Sequence, residues 1–221
     1  MTPLPEQTPT LIIRCFQTLQ DYTAMFETMK HFTHERDVTQ ADEIWLLQHH
    51  PVLTQGQAGK PEHILIDRGL PIVHSDRGGQ VTWHGPGQLV GYLLLDLNRL
   101  GWNVRTLVSF TEQLMIDLLN IHHITAYAKP KAPGVYVDEK KIGSLGFKIR
   151  RGCSYHGFAL NIDCGFDGFE SINPCGYANL QMTTINQIST CPVDIQTVQE
   201  NIVQYMQNTQ LFSKINVIFQ S

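Results

Sequence analysis

The sequence predicts an α+β fold, and two observations predict this class. Three segments carry apolar residues at helical spacing, whereas several shorter segments are continuously apolar or alternate in polarity, as strands do. In the second half of the chain the strands follow one another, with a hairpin turn between two of them, which favours α+β over a doubly wound parallel sheet. No repeat of fixed period is visible, so solenoids and propellers are excluded.

The three helices are predicted from one-sided apolar stripes. Residues 21–32 place a tyrosine, two methionines and a phenylalanine at helical spacing behind Asp21, which is a favoured N-cap residue. Similar stripes predict helices over residues 103–120 and 194–208.

The strands are predicted from shorter apolar runs. Residues 89–97 are apolar on both faces, as in a central strand, and residues 138–140 (DEK) have the composition of a hairpin turn. A short apolar tail spans residues 215–219. The other predicted strands are residues 11–16, 43–49, 134–137, 141–149 and 155–162.

Length and composition indicate one globular domain spanning residues 1–221, with 42% hydrophobic and 16% charged residues. No apolar stretch is long enough to span a membrane, and residues 1–10 (MTPLPEQTPT) do not resemble a signal peptide, so we expect a cytoplasmic protein with no membrane contact. The five cysteines, odd in number and without a CxxC pair, predict reduced thiols.

Charge distribution bears on the class of partner. A net charge of −4 and the lack of an aromatic and basic stripe exclude a general nucleic-acid binder. Between Lys129 and Arg151, however, seven basic residues stand against two acidic ones. This surplus is either a solvated strand face or a docking surface for an acidic partner.

Residues 77–88 (RGGQVTWHGPGQ) form a glycine-rich segment directly before the predicted central strand. Such a segment lets a backbone approach a ligand closely, although a set of tight turns explains it equally well. It matches neither a GxxxxGK[ST] nor a GxGxxG pattern, so nucleotide binding has little support.

Two histidines stand directly before glycines, His84 in WHGPGQ and His156 in YHGFALN. Each is either a hydrogen-bonded structural residue or a contributor to catalysis. With Cys153 they make at most a loose trio that lacks the paired spacing of zinc ligands, so no metal is expected.

Cys175 is the candidate nucleophile, because Pro174 and Gly176 fix a turn around it and turns expose their side chains. Cys15, inside an apolar strand, fits a small buried residue instead. A free thiol is mostly protonated at neutral pH and needs a nearby base or cation. A papain-like pair of Cys175 or Cys153 with His84 or His156 is an alternative, but the cysteine-protease signatures are absent.

Three long segments resemble a known family: RGGQVTWHGPGQLVGYLLLDL, GVYVDEKKIGSLGFKIRRGCSYHGFALNI and INPCGYANLQMTTI. In this order they resemble the lipoyl(octanoyl) transferases of lipoate biosynthesis, and QHHPVLTQGQAGKPEHIL resembles the family's early segment. The resemblance covers roughly residues 43–190. It implies an α+β catalytic domain with a mixed sheet and flanking helices, similar to the biotin and lipoate protein ligases.

Carried over residue by residue, the resemblance makes Cys175 the nucleophile that holds an acyl thioester and Lys141 its activating partner. Lys141 is identified over neighbouring Lys140 because it directly precedes Ile-Gly-Ser-Leu-Gly. His156 is a possible supporting residue. The acyl site would be lined by Arg77, Gly78, Gly79, Gln80, Val81, Thr82, Trp83, His84, Ser144, Leu145, Gly146, Gly157, Phe158 and Ala159.

The implied reaction moves an octanoyl group from acyl carrier protein to a lysine ε-amine on lipoyl domains of 2-oxoacid dehydrogenase complexes and on the glycine cleavage H protein. The acyl group would pass from the carrier's thioester to a thioester on the enzyme and then to an amide. This sequence needs no ATP and no cofactor beyond the carrier's phosphopantetheine. Two alternatives stay open: an ATP-dependent lipoate or biotin ligase on the same fold, and a non-catalytic module that binds the carrier protein. A monomer is expected, because no long exposed apolar stripe is left over.

Overall fold

The computed structural model describes residues 9–178 and 180–220; the N-terminal segment without signal-peptide character lies outside them, except for its last two residues. The strands are β1 (Thr10–Gln20), β2 (Asp42–His49), β3 (Val52–Gln55), β4 (Ile72–His74), β5 (Val81–His84), β6 (Gln88–Leu94), β7 (Tyr127–Lys129), β8 (Ala132–Val137), β9 (Lys140–Arg150), β10 (Cys153–Asn161) and β11 (Lys214–Gln220). The α-helices are α1 (Tyr22–Glu35), α2 (Leu97–Leu100), α3 (Val104–Ile121), α4 (Asp167–Glu170), α5 (Ile185–Ile188) and α6 (Ile195–Asn208).

Eight strands form the main sheet in the order β11-β1-β2-β6-β10-β9-β8-β7, and three form a smaller sheet in the order β4-β3-β5. In the main sheet, β1 pairs in parallel with both β2 and β11. The pairs from β2 onward are antiparallel. The main sheet is therefore mixed, which confirms the predicted fold class.

Helices cover both faces of the main sheet. The apolar stripes of α3 and α6 pack with strand residues such as Leu93 and Ile142 in the largest core cluster. On the other face, the stripe of α1, including Met25 and Met29, packs against Trp45. The three predicted helices are confirmed, and the side chains of Asp21, Asn103 and Asp194 accept hydrogen bonds at their N-termini.

The predicted hairpin is also confirmed. Asp138 and Glu139 both have left-handed φ angles, 45° and 67°, as a two-residue turn between β8 and β9 requires. By contrast, the strand predicted over residues 89–97 ends at Leu94, because Asp96 caps α2 with its side chain.

The small sheet and β7 were not predicted. The strands of the small sheet, β3, β4 and β5, are three or four residues long, which is too short to show a clear alternation of apolar and polar residues. Strand β5 lies within residues 77–88, so this glycine-rich segment is part strand and not only a set of tight turns. In the described part of the chain, no helix has the length and apolar character to cross a membrane.

A buried ion cluster ties several chain segments together at one end of the main sheet. The fully buried Asp42 carboxylate accepts hydrogen bonds from Arg36 at 2.7 Å, Arg99 at 2.8 Å and the Asp96 backbone at 2.7 Å. Arg36 also donates to the carbonyl of Leu94 at 3.0 Å. The cluster joins the end of α1, the end of β6 and the start of α2.

Replacement of Asp42 should therefore destabilise the fold strongly. Asp42→Ala leaves the buried Arg36 guanidinium without its counter-charge, and we expect the free energy of unfolding to fall by about 3–5 kcal/mol in urea denaturation. The exposed Asp163 serves as the matched control, because Asp163→Ala should change stability by no more than about 0.5 kcal/mol. Equal losses in the two variants would contradict the importance of the cluster.

Candidate active site

Cys175 lies in a tight turn whose backbone is unusual for a side-chain-bearing residue. A single 3₁₀ turn spans Pro174–Gly176, in which Cys175 has φ 56° and ψ 17° and Gly176 has φ 77°. The Gly176 N–H donates to Asn173 at 2.9 Å and the Tyr177 N–H to Pro174 at 3.1 Å. A left-handed conformation costs a non-glycine residue roughly 1–2 kcal/mol, so the structure holds the half-buried thiol in a strained position.

Lys141 is the group nearest to this thiol. It is only 3% exposed, and its Nζ lies 3.2 Å from Cys175 Sγ and donates to the Pro133 carbonyl at 2.9 Å. Lys140, the neighbour in sequence, is exposed. The structure therefore brings together the two residues to which the sequence assigned catalysis, although 34 positions separate them.

Two features position the Lys141 side chain: backbone hydrogen bonds of Lys141 and the absence of a side chain at Gly134. The Lys141 N–H donates to Gln181 at 2.8 Å and the Thr183 N–H donates to Lys141 at 3.0 Å, which fixes the chain after the turn alongside β9. Gly134 leaves room for the side chain, since a Cβ there would lie 2.4 Å from Lys141 Cε and 2.9 Å from Nζ.

Arg77 is buried beside the thiol. Its guanidinium donates to the backbone and hydroxyl oxygens of Thr54, both at 2.8 Å, and to Gly78 at 3.0 Å, with no carboxylate partner among the residues described. Burial lowers the pKa of Arg77, while Tyr22 and Cys175 act against that shift. Arg77 thus contributes a positive charge on this side of Cys175.

The residues between Arg77 and His84 differ in their contacts and burial. The Gly78 N–H donates to Phe147 on β9, and Gln80 lies against Gly176, whose Cβ would be 3.0 Å from Gln80 Cγ. Gly79 is exposed and Thr82 partly buried. Val81 and Trp83 pack in a separate apolar cluster under the small sheet, so their side chains do not line the pocket described next.

A small pocket with a cavity volume of about 40 Å³, open to solvent on one side, lies between the main sheet and α1. It brings together nine of the residues singled out from the sequence and adds three that were not. The lining residues are Tyr22, Arg77, His84, Val90, Tyr92, Ser144, Leu145, Gly146, His156, Gly157, Phe158 and Ala159. Tyr22, Val90 and Tyr92 carry no signal in the sequence, because each fits an ordinary apolar stripe or buried strand.

Burial keeps two histidines in and near the pocket neutral. His84 donates through Nδ1 to Gln88 at 2.7 Å, and burial lowers its pKa to about 3. Burial likewise lowers the pKa of His49 to about 4, and its Nε2 accepts a hydrogen bond from the Tyr92 hydroxyl at 2.6 Å. Neutral side chains of this kind suit an uncharged ligand.

His156 is the most constrained of these side chains. It has φ 59° within β10, is 1% exposed, and donates through Nε2 to Asp76 at 2.8 Å. Burial lowers the pKa of His156 despite the carboxylate. Burial alone would raise the pKa of Asp76, but hydrogen bonds from His156 and Tyr155 outweigh it. The pair is therefore a neutral imidazole on an ionised carboxylate, and Asp76 was missed in the sequence because nothing in its context marks it.

The other cysteines contrast with Cys175. All five are free, which confirms the prediction of reduced thiols. Burial raises the pKa of Cys15 to about 11 and that of Cys164 to about 12, so both are poor nucleophiles. Cys153 is buried too, and the partner of Cys175 is a lysine rather than a histidine, which contradicts the papain-like alternative.

Comparison with known proteins places this geometry in a family. Residues 21–207 match the protein family described as the Lipoyl protein ligase A/B catalytic domain. The octanoyltransferase of Acinetobacter baylyi is 59% identical over 212 residues, covering 96% of this chain and 97% of that protein. The octanoyltransferase of Stutzerimonas stutzeri is 55% identical over 188 residues, covering 85% of each.

Solved structures share the fold at low sequence identity. A bi-partite lipoate protein ligase from Thermoplasma acidophilum, described with its E2 lipoyl domain, gives a TM-score of 0.72 at 13% identity, covering 96% of this chain and 87% of that chain. A biotin protein ligase from Aquifex aeolicus gives 0.51 at 14% identity, covering 91% and 68%. The fold is thus that of the lipoate and biotin protein ligases. From the sequence relatives, the chain belongs to the lipoyl protein ligase A/B catalytic domain family and, within it, to the octanoyltransferases, enzymes that transfer octanoyl groups.

Proposed function

We propose that the protein moves an octanoyl group from octanoyl-acyl carrier protein to a lysine ε-amine on lipoyl domains, through a thioester on Cys175. The acceptors are the lipoyl domains of 2-oxoacid dehydrogenase complexes and the glycine cleavage H protein. The whole chain acts as one catalytic domain, as a monomer in the cytoplasm, without ATP or a cofactor of its own. The observation that carries the proposal is the 3.2 Å contact between Lys141 Nζ and Cys175 Sγ.

The first half-reaction loads the enzyme. As Cys175 Sγ attacks the carbonyl carbon of the donor thioester, its proton passes to Lys141, and the C–S bond to phosphopantetheine breaks. Lys141 then returns the proton to the departing pantetheine thiol. One thioester replaces another, so the step needs no external energy source.

The second half-reaction transfers the octanoyl group from Cys175 to the target lysine. The amine of the target lysine attacks the Cys175 thioester, Lys141 accepts a proton from that amine, and the same proton is returned to the Cys175 sulfur as it leaves. An amide forms at the cost of a thioester, so this step runs downhill. Because Lys141 serves both halves, one buried lysine suffices for two protein substrates that bind in turn.

The pocket accounts for the acyl chain. Val90, Leu145, Phe158 and Ala159 supply apolar wall, and Arg77, which lines the same pocket, interacts electrostatically with Cys175. An octanoyl chain attached to Sγ would thus lie along the sheet, while the thiol on its turn stays reachable by the carrier arm and the target lysine.

Some of the basic residues between Lys129 and Arg151 are free to dock acidic partners, and others are paired within the protein. Lys129 pairs with Glu139 at 2.6 Å, Lys141 is used in the site, and Arg151 donates to the carbonyl of His34. The exposed remainder includes Lys131, Lys140 and Arg150. These charges lie on or beside the strand that carries Lys141, where they would steer an acidic carrier or lipoyl domain toward the site. The Thermoplasma ligase of the same fold, described with a lipoyl domain, supports the second partner.

The covalent intermediate is directly testable. Mixed with octanoyl-loaded carrier protein and no ATP, the protein should gain one octanoyl group that is sensitive to hydroxylamine, measured as intact mass. Cys175→Ser should abolish the thioester, and Lys141→Ala should slow its formation by roughly 100-fold or more, the usual contribution of a general base. The matched controls are the exposed Cys191→Ser and Lys140→Ala, which should both load normally.

Other results would point elsewhere. No adduct with an intact donor, but formation of an acyl-adenylate from ATP, would identify a ligase. Binding of the carrier protein that neither forms an adduct nor depends on Cys175 would identify a non-catalytic module.

Gly134 offers a test of the lysine's position. Gly134→Ala places a methyl group where Lys141 Cε now lies, so we expect Cys175 loading to fall by about 100-fold or more. The control is Gly101→Ala, because Gly101 also has a positive φ, 67°, but faces open space. Gly101→Ala introduces a side chain at a positive-φ glycine without contact to Lys141 and should load normally. Normal loading of a folded Gly134→Ala protein would contradict the tight placement of Lys141.

A further inference from the structure

Three exposed apolar side chains lie beside the cysteine turn. Tyr177 follows Cys175 by two positions and is 52% exposed, and Leu65 and Ile66 are 55% and 49% exposed. The backbone N–H groups of Leu65 and Ile66 donate to the Ser171 carbonyl at 2.8 and 3.1 Å, which ties these residues to the segment that leads into the turn. Leu65, Ile66 and Tyr177 thus form an apolar rim beside the turn.

The chain that carries the first part of the rim is held directly against the turn. The Asn173 N–H donates to the His63 carbonyl at 2.8 Å, and Ile64 pairs with Ile172 in an antiparallel bridge. The His63 ring reaches Gly176, since a Cβ on that glycine would lie 3.3 Å from His63 Nε2. The rim is therefore fixed to the same backbone that presents the thiol.

An apolar rim in this position indicates a protein interface. Large apolar side chains scattered singly over a surface need no explanation, whereas a group of them marks an interaction site. Aromatic side chains are enriched and charged ones depleted at the centre of such interfaces, and tyrosine often contributes strongly to binding. Both substrates of the proposed reaction are proteins, so one of them covers the rim when its reactive atom meets Cys175.

The reach of the two substrates decides which one. In the carrier protein the acyl group lies at the end of a phosphopantetheine arm, so the folded body of the carrier can remain away from the thiol. The acceptor amine, in contrast, is joined to its own backbone by a four-carbon stem. Five bonds of about 1.5 Å and an approach of about 3 Å to the acyl carbon bring the acceptor's backbone to within about 10 Å of the thioester.

The rim lies inside this range. Two residues of chain span at most about 7 Å, so the backbone of Tyr177 is closer than that to Cys175. An acceptor domain that delivers its lysine must therefore contact the residues beside the turn, whereas a carrier protein need not.

Charge on this side of the thiol favours the same partner. Residues 60–70, which include part of the rim, and residues 163–170, which directly precede Ser171, together carry five acidic and two basic side chains. All seven are exposed, and both basic ones are already paired with acidic ones. Residues 129–151 carry the opposite excess. A lysine ammonium is attracted to the first surface, and the anionic arm of the carrier to the second.

We propose that the apolar rim of Leu65, Ile66 and Tyr177 is the docking surface for the lipoyl domain that receives the octanoyl group. This inference rests on the proposed acyl transfer and assigns one of its two protein partners to a place on the chain. The basic residues between Lys129 and Arg151 attract either partner through its net charge, whereas the rim contacts the acceptor alone.

The test separates transfer from loading. The enzyme that carries octanoyl on Cys175 is isolated after reaction with octanoyl-carrier protein and is mixed with an excess of unmodified lipoyl domain at several concentrations. Mass spectrometry of the domain gives the limiting rate of transfer and the domain concentration at half of that rate. Transfer to Nα-acetyllysine, which supplies the amine without the domain, is measured in parallel.

Polar replacements in the rim should weaken docking and leave the chemistry unchanged. The double variant Leu65→Ser/Ile66→Ser and the single variant Tyr177→Ser should each raise the half-saturating domain concentration roughly tenfold, as for the loss of a central interface contact. Tyr177→Phe keeps the ring and should restore most of the affinity. Loading from the carrier protein and transfer to Nα-acetyllysine should change by no more than about twofold, because the substituted side chains are exposed.

The matched controls are Val38→Ser and Phe219→Ser, which also remove exposed apolar side chains, 83% and 63% exposed. Val38 lies between α1 and β2, and Phe219 lies on β11, which four strands separate from β9 in the main sheet. Neither change should alter the half-saturating concentration of the lipoyl domain.

An unchanged half-saturating concentration in the rim variants overturns the inference. Slower loading with normal transfer would assign the rim to the carrier protein, and a changed oligomeric state with both half-reactions normal would assign it to a second copy of the chain; both results overturn the inference as well. In each case Cys175 is still loaded, so the proposed function stands. A wild type that forms no octanoyl adduct overturns the proposed function and the docking surface together.

Discussion

Two backbone hydrogen bonds hold the reactive centre together. The N–H and carbonyl of Lys141 pair with Gln181 and Thr183 on the segment that follows the cysteine turn. The Asn161 side chain also donates to the Thr183 carbonyl at 3.0 Å, and the Asn173 N–H, just before the turn, donates to His63 at 2.8 Å. Because backbone pairing fixes distance and direction at once, it holds the strand that carries Lys141 beside the cysteine turn, where Nζ lies 3.2 Å from Cys175 Sγ.

The two faces of the main sheet serve different purposes. The α3 and α6 face is a large, almost wholly apolar core that supplies stability. The α1 face combines apolar packing with uncharged polar groups such as His49, His84 and Tyr92, each hydrogen-bonded where it is buried. The two faces therefore differ in polarity: one is apolar, and the other places buried, hydrogen-bonded polar groups beside apolar side chains.

Much of the fold and part of the site follow from the sequence. The helices over α1, α3 and α6 have long periodic stripes with N-caps, and the β8–β9 turn has residues that suit its geometry, so each was predictable. The contrast between Cys15 in an apolar run and Cys175 between proline and glycine also pointed to Cys175 as the candidate nucleophile. In the structure Cys15 is buried, whereas Cys175 is only half-buried.

The unpredicted parts share a physical cause. The strands of the small sheet are too short for a period to emerge, and their pairing depends on contacts distant in sequence. Asp76 and Tyr22 contribute through contacts with β10 and β5 residues that no local pattern encodes. The side chains of Val81 and Trp83 alternate away from the pocket because that segment is a strand and not an open loop.

The position of β11 has a consequence for how the chain reaches this structure. Thr10 of β1 pairs with Lys214 of β11, so the first and last strands described are direct neighbours in the sheet. Closing so long a loop adds little to the equilibrium cost, because the entropy grows only with the logarithm of length. It does raise the contact order, which slows folding. During synthesis, β1 can pair with β2 early, but its other edge stays uncovered until β11 has left the ribosome.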